Sequence, residues 1–178
     1  SSTDVSGANY FGDPAVTDPI SYIPSSQQTN NIQWLAGSKV LLTGTLGSEY
    51  VATGYNEILS RESIDLKQHT YFGGSSNQVI QAGRDVIFVG RDGRTLRSYR
   101  DSEENGSYIS DDLSSRSDTI LWEAAAVSVG NNIQINQIAW QADKNIIWVV
   151  TNFNELFSLT YDVEFGVIAW SRHDVGGP

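Results

Sequence analysis

From Ile32 onward the chain alternates short runs of β-branched and aromatic residues with polar turns. Val40-Leu41-Leu42-Thr43-Gly44 passes through Thr45-Leu46-Gly47-Ser48 into Glu49-Tyr50-Val51-Ala52-Thr53. Asp85-Val86-Ile87-Phe88-Val89 passes through Gly90-Arg91-Asp92-Gly93 into Arg94-Thr95-Leu96-Arg97-Ser98-Tyr99. Asn145 to Val150 passes through Thr151-Asn152-Phe153-Asn154 into Glu155 to Tyr161. Each is a β-rich run, a short turn and an alternating run, which predicts a hairpin. In the last one, period-2 alternation predicts Leu156, Ser158 and Thr160 on one face and Phe157, Leu159 and Tyr161 on the other.

An internal repeat organises these hairpins. Leu35-Ala36-Gly37-Ser38-Lys39-Val40-Leu41-Leu42 aligns with Gln81-Ala82-Gly83-Arg84-Asp85-Val86-Ile87-Phe88, and both align with Gln141-Ala142-Asp143-Lys144-Asn145-Ile146-Ile147-Trp148. A further β-like run precedes each alanine: Ile32 to Leu35, Val79 to Gln81, Ile135 to Trp140. The equivalent residues Val40, Val86 and Ile146 lie 46 and 60 residues apart. Four-stranded propeller blades recur at roughly 40 to 50 residues, so the repeat favours propeller-like blades over a generic sandwich. The predicted fold is mostly β, made of antiparallel blades too few to close a ring.

Three departures from the β pattern define the expected organisation. Residues 1–31 hold Pro14, Pro19 and Pro24 among Ser, Asn and Gly, which predicts an extended leading segment. Its Tyr10, Phe11, Ile20, Tyr22 and Ile23 suggest that it lies against the β domain of residues 32–173. The stretch from about Asp101 to Asn132 is expected to be an insertion that interrupts the strands. It contains the helical candidate Thr119 to Ala126, with Ser117 or Asp118 as N-cap. Residues 174–178 read as a tail.

Composition then narrows the function. The 178 residues carry 21 Asp+Glu against 11 Lys+Arg, a formal charge of −10. A protein that coats nucleic acid nonspecifically needs the opposite excess, and so does one that docks on anionic lipid. Without Cys there is no disulfide, thiol nucleophile or thiolate metal site, and His69 and His173 are the only imidazoles. The absence of Met, with a start at Ser1, is expected of a processed product or a piece of something longer. No apolar run approaches the roughly 20 residues that span a bilayer, so no membrane anchor is expected.

Candidate chemistry is sparse. Asp101, Glu103, Asn105, Gly106 and Asp112 occupy positions 1, 3, 5, 6 and 12 of a twelve-residue calcium loop. Position 12 offers Asp in place of the longer Glu, and a strand precedes the loop. The preferred reading is therefore a solvated acidic hairpin, with calcium the alternative and no other cofactor expected. Asp111, Asp112, Asp118 and Glu123 are acidic, but no spacing sets two of them across a cleft for glycosidic chemistry. Gly73-Gly74-Ser75-Ser76 is a loop between strands, and Asn105-Gly106-Ser107 is a bare glycosylation sequon. His173 without a partner reads as structural. Trp34, Trp140 and Trp148, placed around the repeated turns, read as core. No catalytic, cofactor-binding or metal residue is assigned, and no enzymatic activity is expected.

The motifs taken in order resemble the tail nozzle proteins of short-tailed phages and prophages, also called tail tubular protein B or stabilisation proteins. Ile32-Gln33-Trp34-Leu35, Lys39 to Thr45 and Gly47-Ser48-Glu49-Tyr50 are similar to that family's I-x-W-L, L-L-x-G-T-x-G-x-E-W stretch. Asp18-Pro19-Ile20-Ser21-Tyr22, with Ser25, Ser26 and Asn30, resembles the segment before it. Val86 to Arg97 resembles V-L-F-V-x-R-x-G-R-x-x-R-E, and Tyr99, Gly106-Ser107-Tyr108 and Asp111 to Ser114 follow in order. Ile138 to Gln141, Ile147 to Val150, Leu159 to Asp162 and Val167 to His173 resemble the closing motifs, with Ser171 where A-W-H-R-H has its first His and Tyr50 in place of Trp.

The resemblance spans roughly residues 10 to 173. It implies a structural virion protein in the phage tail, present in the host cytoplasm during assembly. Its implied partners are copies of itself in a hexameric ring and the portal and adaptor proteins, with DNA passing through the channel unbound. The alternative from another class is a carbohydrate-binding or carbohydrate-active β module of a virion or cell-surface protein.

Overall fold

The computed structural model describes residues 31–54, 59, 63–102, 106–115 and 133–174. The leading segment apart from Asn31, the helical candidate Thr119 to Ala126 and residues 175–178 of the expected tail lie outside the described residues.

The described chain is all-β, in three four-stranded antiparallel sheets. The first holds β1 (Ile32–Gly37), β2 (Leu41–Thr45), β3 (Glu49–Thr53) and β4 (Asp65–Thr70). The second holds β5 (Ile80–Ala82), β6 (Asp85–Val89), β7 (Leu96–Ser102) and β8 (Ser107–Asp112). The third holds β9 (Ile135–Gln141), β10 (Ile146–Thr151), β11 (Leu156–Asp162) and β12 (Val167–His173). Each sheet is a meander whose strands neighbour one another in chain order. The three hairpins expected from the hydrophobic pattern are β2–β3, β6–β7 and β10–β11, and each Ala-turn octet joins the first two strands of its sheet.

One boundary is corrected. The insertion expected from about Asp101 begins inside the second sheet: Asp101 and Ser102 finish β7, and Ser107–Asp112 form β8, paired from Arg97↔Asp112 to Ser102↔Ser107. Polar residues fill β8 because it is an outer strand, half exposed or exposed throughout, where no apolar row is needed.

Burial follows from the position of the second sheet between the other two. Strand β6 is buried at all five positions. Its alternate residues serve opposite faces: Val86 and Phe88 join Trp34, Leu42, Val51 and Tyr99 of the first interface. Ile87 and Val89 join Leu96, Ile138, Ile147, Val149, Phe157 and Leu159 of the second. A near-continuous apolar run is what a strand covered on both faces requires.

The up-and-down course puts the octet turns at one end of all three sheets and the connections between sheets at the other. At the connecting end, Gly74 N donates to Thr45 O (2.8 Å) and Ser75 N to Val89 O (2.9 Å), which ties the first sheet to the second. Ile135 N donates to Gly93 O (2.7 Å), which ties the second to the third, and Asn152 N donates to Gln134 O (2.9 Å), which fixes the entry to β9 on the β10–β11 turn. The Asn77 side-chain amide adds bonds to the carbonyls of Ile135 and Asn136. Buried backbone groups need such partners, so these connections hold the sheets in fixed relation. Among the described residues no helix is long and apolar enough to cross a membrane.

Candidate functional site

The octet repeat gathers its own residues at the turn end. Lys39, Asp85 and Asn145 occupy the same place in the three octets, and all three line one cleft of about 1130 Å³. Ser38, Gln81, Arg84, Arg100, Asp101, Ser102, Tyr108, Trp140, Tyr161, Asp162 and Glu164 make up the rest of its polar and aromatic lining among the described residues. The cleft therefore draws on all three sheets.

Its floor is a buried polar pair. Asp85, the first residue of β6, is 5% exposed, and its carboxylate accepts a hydrogen bond from the hydroxyl of Tyr161 on β11. Burial holds the Asp85 carboxyl above the usual carboxylate range, with the Tyr161 bond and the nearby Arg100 charge opposing it in part. Burial, reinforced by the bond to Asp85, pushes the Tyr161 phenol up. Arg100 on β7 donates through Nε (3.2 Å) and Nη2 (2.9 Å) to Asp111 Oδ2 on β8. Although burial works against its charge, these contacts hold the guanidinium above its ordinary value.

The turns that form the rim are internally tied. Asn145 has a φ of 52°, in the left-handed region where Asn is one of the few tolerated side chains. Its carbonyl accepts from Tyr161 N at 2.8 Å, and Asp162 Oδ1 accepts from Phe165 N at 3.2 Å.

The two carboxylates at the first and last positions of the calcium candidate stand apart in the hairpin. Asp101 pairs with Tyr108 near one end of β8, while Asp112 pairs with Arg97 at the other end, so the two carboxylates are separated by most of a strand. Asp112 Oδ1 instead accepts from Ser114 N (2.8 Å) and Ser115 N (3.1 Å), closing the turn after β8. Glu103, Asn105, Asp118 and Glu123 lie outside the described residues, and Gly106 ends the β7–β8 turn with a φ of 59°. Among the described residues no group of three His, Asp or Glu side chains is placed to hold a metal. Gly73 and Gly74 lie in the connection from β4 to β5, as expected of a loop.

Both histidines have partners. His69 Nδ1 on β4 accepts from Tyr108 N on β8 at 3.1 Å, joining the outer strands of the first two sheets. Ser158 Oγ and His173 Nε2 share a hydrogen bond of 2.7 Å, and the His173 ring lies 5.1 Å from that of Trp148. Ser158 lies in the inner strand β11, paired with Trp148 on one side and Ser171 on the other, and His173 ends the outer strand β12. The pair acts as a cross-strand tie. Of the tryptophans expected in the core, Trp34 is buried, whereas Trp140 and Trp148 are half-buried.

Sequence reasoning did not single out Asp85, Tyr161, Arg100 or Ser158 as a group. The repeat alignment held the usable signal: equivalent octet positions mark equivalent ends of neighbouring sheets, so Lys39, Asp85 and Asn145 had to meet once the sheets packed in order. No protein-family model matches the chain, and no curated protein matches it.

Proposed function

We propose that this chain is a structural part of a phage tail nozzle, its three sheets acting as consecutive blades of a propeller-like subunit that rings a DNA channel. The observation that carries this reading is the agreement between motif order and sheet order. Each octet opens one four-stranded meander, and the stretches that resemble the nozzle family fall in the first, second and third sheets in turn. Blade-like placement is supported by which strands meet between sheets. First strand meets first strand where β5 touches β9, and last meets last where β4 touches β8. Such an arrangement suits radial repetition around an axis.

The charge of −10 fits a channel wall that DNA passes without being held. A negative surface repels phosphate and offers no counterion release, whereas a basic wall would retard the strand. The role needs no catalytic group. Its partners are copies of the subunit in a hexameric ring, with portal and adaptor proteins above it, and its place is the virion tail after assembly in the host cytoplasm.

The test is immunogold labelling of short-tailed particles from the source culture with antibody raised against this chain. Gold at the tail tip, together with rings of six in micrographs of the purified nozzle, is the expected result. Gold absent from tails overturns the reading. A second test reverses acidic clusters to lysine. Slower DNA ejection is expected, and unchanged ejection removes the channel-wall argument.

A further inference from the structure

We infer that the turn-end cleft is a binding site for an uncharged polyhydroxylated ligand, a segment of neutral polysaccharide. The proposal does not depend on ring assembly, because every residue it uses belongs to one copy of the chain.

Charge excludes the strongly ionic classes first. Among the described residues the lining holds Lys39, Arg84 and Arg100 with Asp85, Asp101, Asp162 and Glu164, close to balanced in sign. Around it the chain carries −10, which repels nucleic acid and acidic polysaccharide at a distance. A ligand suited to this lining needs both hydrogen-bond donors and acceptors and no net charge, which describes a chain of sugar hydroxyls.

The aromatic side chains supply the second requirement. Trp140 and Tyr108 are half-buried in the cleft lining, each packed in part on a core, Tyr108 also against Tyr99 and His69, and aromatic surface of this kind suits the C–H faces of sugar rings. Sites of this kind combine such surfaces with a small number of placed polar groups.

The polar groups are held before any ligand arrives. The Asp85 carboxylate is fixed by Tyr161, the Arg100 guanidinium by Asp111, and the Asn145 turn by Tyr161 N. Arg100 uses two of its five N–H groups on Asp111. A polar site whose members orient one another loses little freedom on binding. The burial of Asp85 also matters, since a carboxylate at the floor of a cleft is a stronger acceptor than one in bulk water.

The test is affinity electrophoresis of the whole chain in native gels containing dextran, glycogen, galactomannan or xyloglucan, with hyaluronate as the charged comparison. Retardation by at least one neutral polymer and none by hyaluronate is expected. Arg84→Ala and Asn145→Gly should each weaken the retardation about fivefold, the loss of one useful hydrogen bond. Glycine keeps the left-handed turn at position 145, so this variant removes the amide without removing the fold. Asn154→Gly is the matched control. Asn154 is also left-handed (φ 62°) but lies in the β10–β11 turn at the connecting end, and it should leave retardation unchanged. Migration unaffected by all four neutral polymers overturns the proposal. Retardation by hyaluronate alone, or equal losses in N145G and N154G, does the same.

Discussion

The two interfaces of the second sheet are built from different materials. Between the second and third sheets the contact is mainly aliphatic, with Ile87, Val89, Leu96, Ile138, Ile147, Val149 and Leu159 around Phe157. Its Asp85–Tyr161 pair stands at the cleft floor, at the end of that core. Between the first and second sheets the contact is smaller and aromatic. Trp34 packs on Phe88 with centroids 5.1 Å apart and edge-on to Tyr99 at 6.4 Å. A carboxylate also lies inside it: Glu49 has no exposure, and its Oε2 accepts from Thr70 Oγ1 and from Phe72 N. Aliphatic contact tolerates repacking, whereas a buried carboxylate among aromatics demands one arrangement. The second interface is secured mainly by aliphatic volume, with Trp170 Nε1 donating to Leu113 O (2.9 Å) across it, and the first more by polar and ring geometry.

If that contrast holds, apolar truncation should hurt both interfaces and polar truncation only one. Phe88→Ala and Phe157→Ala are each expected to cost about 3–5 kcal/mol in urea unfolding, since both rings are fully buried. A large disparity between them would break the comparison at its base. Glu49→Ala removes the partner of two part-buried donors, the Thr70 hydroxyl and the Phe72 amide, and should cost about 1–3 kcal/mol, less than either ring. Asp85→Ala strands only the Tyr161 hydroxyl and also removes a carboxylate that burial already disfavours, so its cost should be about 1 kcal/mol or less. Equal losses at positions 49 and 85 would show that the two polar groups play the same part.

A smaller effect separates two glycines of the first sheet. Trp34, Gly44, Glu49 and Thr70 form one row across β1 to β4, and the missing side chain at Gly44 lets the indole of Trp34 lie over it. A methyl group at Gly44 would collide with the ring, so Gly44→Ala should cost about 1–3 kcal/mol. Gly37, in the same sheet, has nothing within 4 Å of an added Cβ. Gly37→Ala should change stability by less than about 0.5 kcal/mol. Near-ultraviolet circular dichroism of G44A should show a disturbed Trp34 environment that G37A lacks.

These contrasts track what was legible in the chain. β6, as Val86-Ile87-Phe88-Val89, announces a doubly covered strand, and the octets announce where each sheet begins. β4 and β8 were silent because they are outer strands. Asp65-Leu66-Lys67-Gln68-His69-Thr70 has one aliphatic residue, and β8 carries Asp111 and Asp112 on exposed positions. The acidic residues of the β7–β8 hairpin match calcium-loop positions as well as strand positions, because alternating ligands and alternating strand faces share a period of two. The cleft could not be read directly, since its lining comes from turns far apart in sequence that meet only through sheet packing.

The finest test uses pH, because the two interfaces should respond to acid with opposite sign. Burial, followed by the Lys67 charge, holds His69 below its ordinary 6.5, with Asp101 opposing. The native state therefore takes up the proton less readily than the unfolded chain. The His69 contribution is intact above 6.5 and is lost as pH falls from there through the native value, where Nδ1 can no longer accept from Tyr108 N. Asp85 runs the other way. Its native value lies above 3.8, so between 3.8 and that value the native state holds the extra proton and stability rises as pH falls. Hydrogen exchange of single amides, corrected for intrinsic rate between about pH 7.5 and pH 4.5, reads both interfaces at once. Protection of Tyr108 N should fall with acid in the native sequence and stay level in His69→Gln, whose amide oxygen can accept the same bond without titrating. Amides of β6 and β11 should keep or gain protection, and Asp85→Asn should remove that gain. Tyr108 protection that falls equally in His69→Gln would mean that the first interface loosens for a reason other than this histidine.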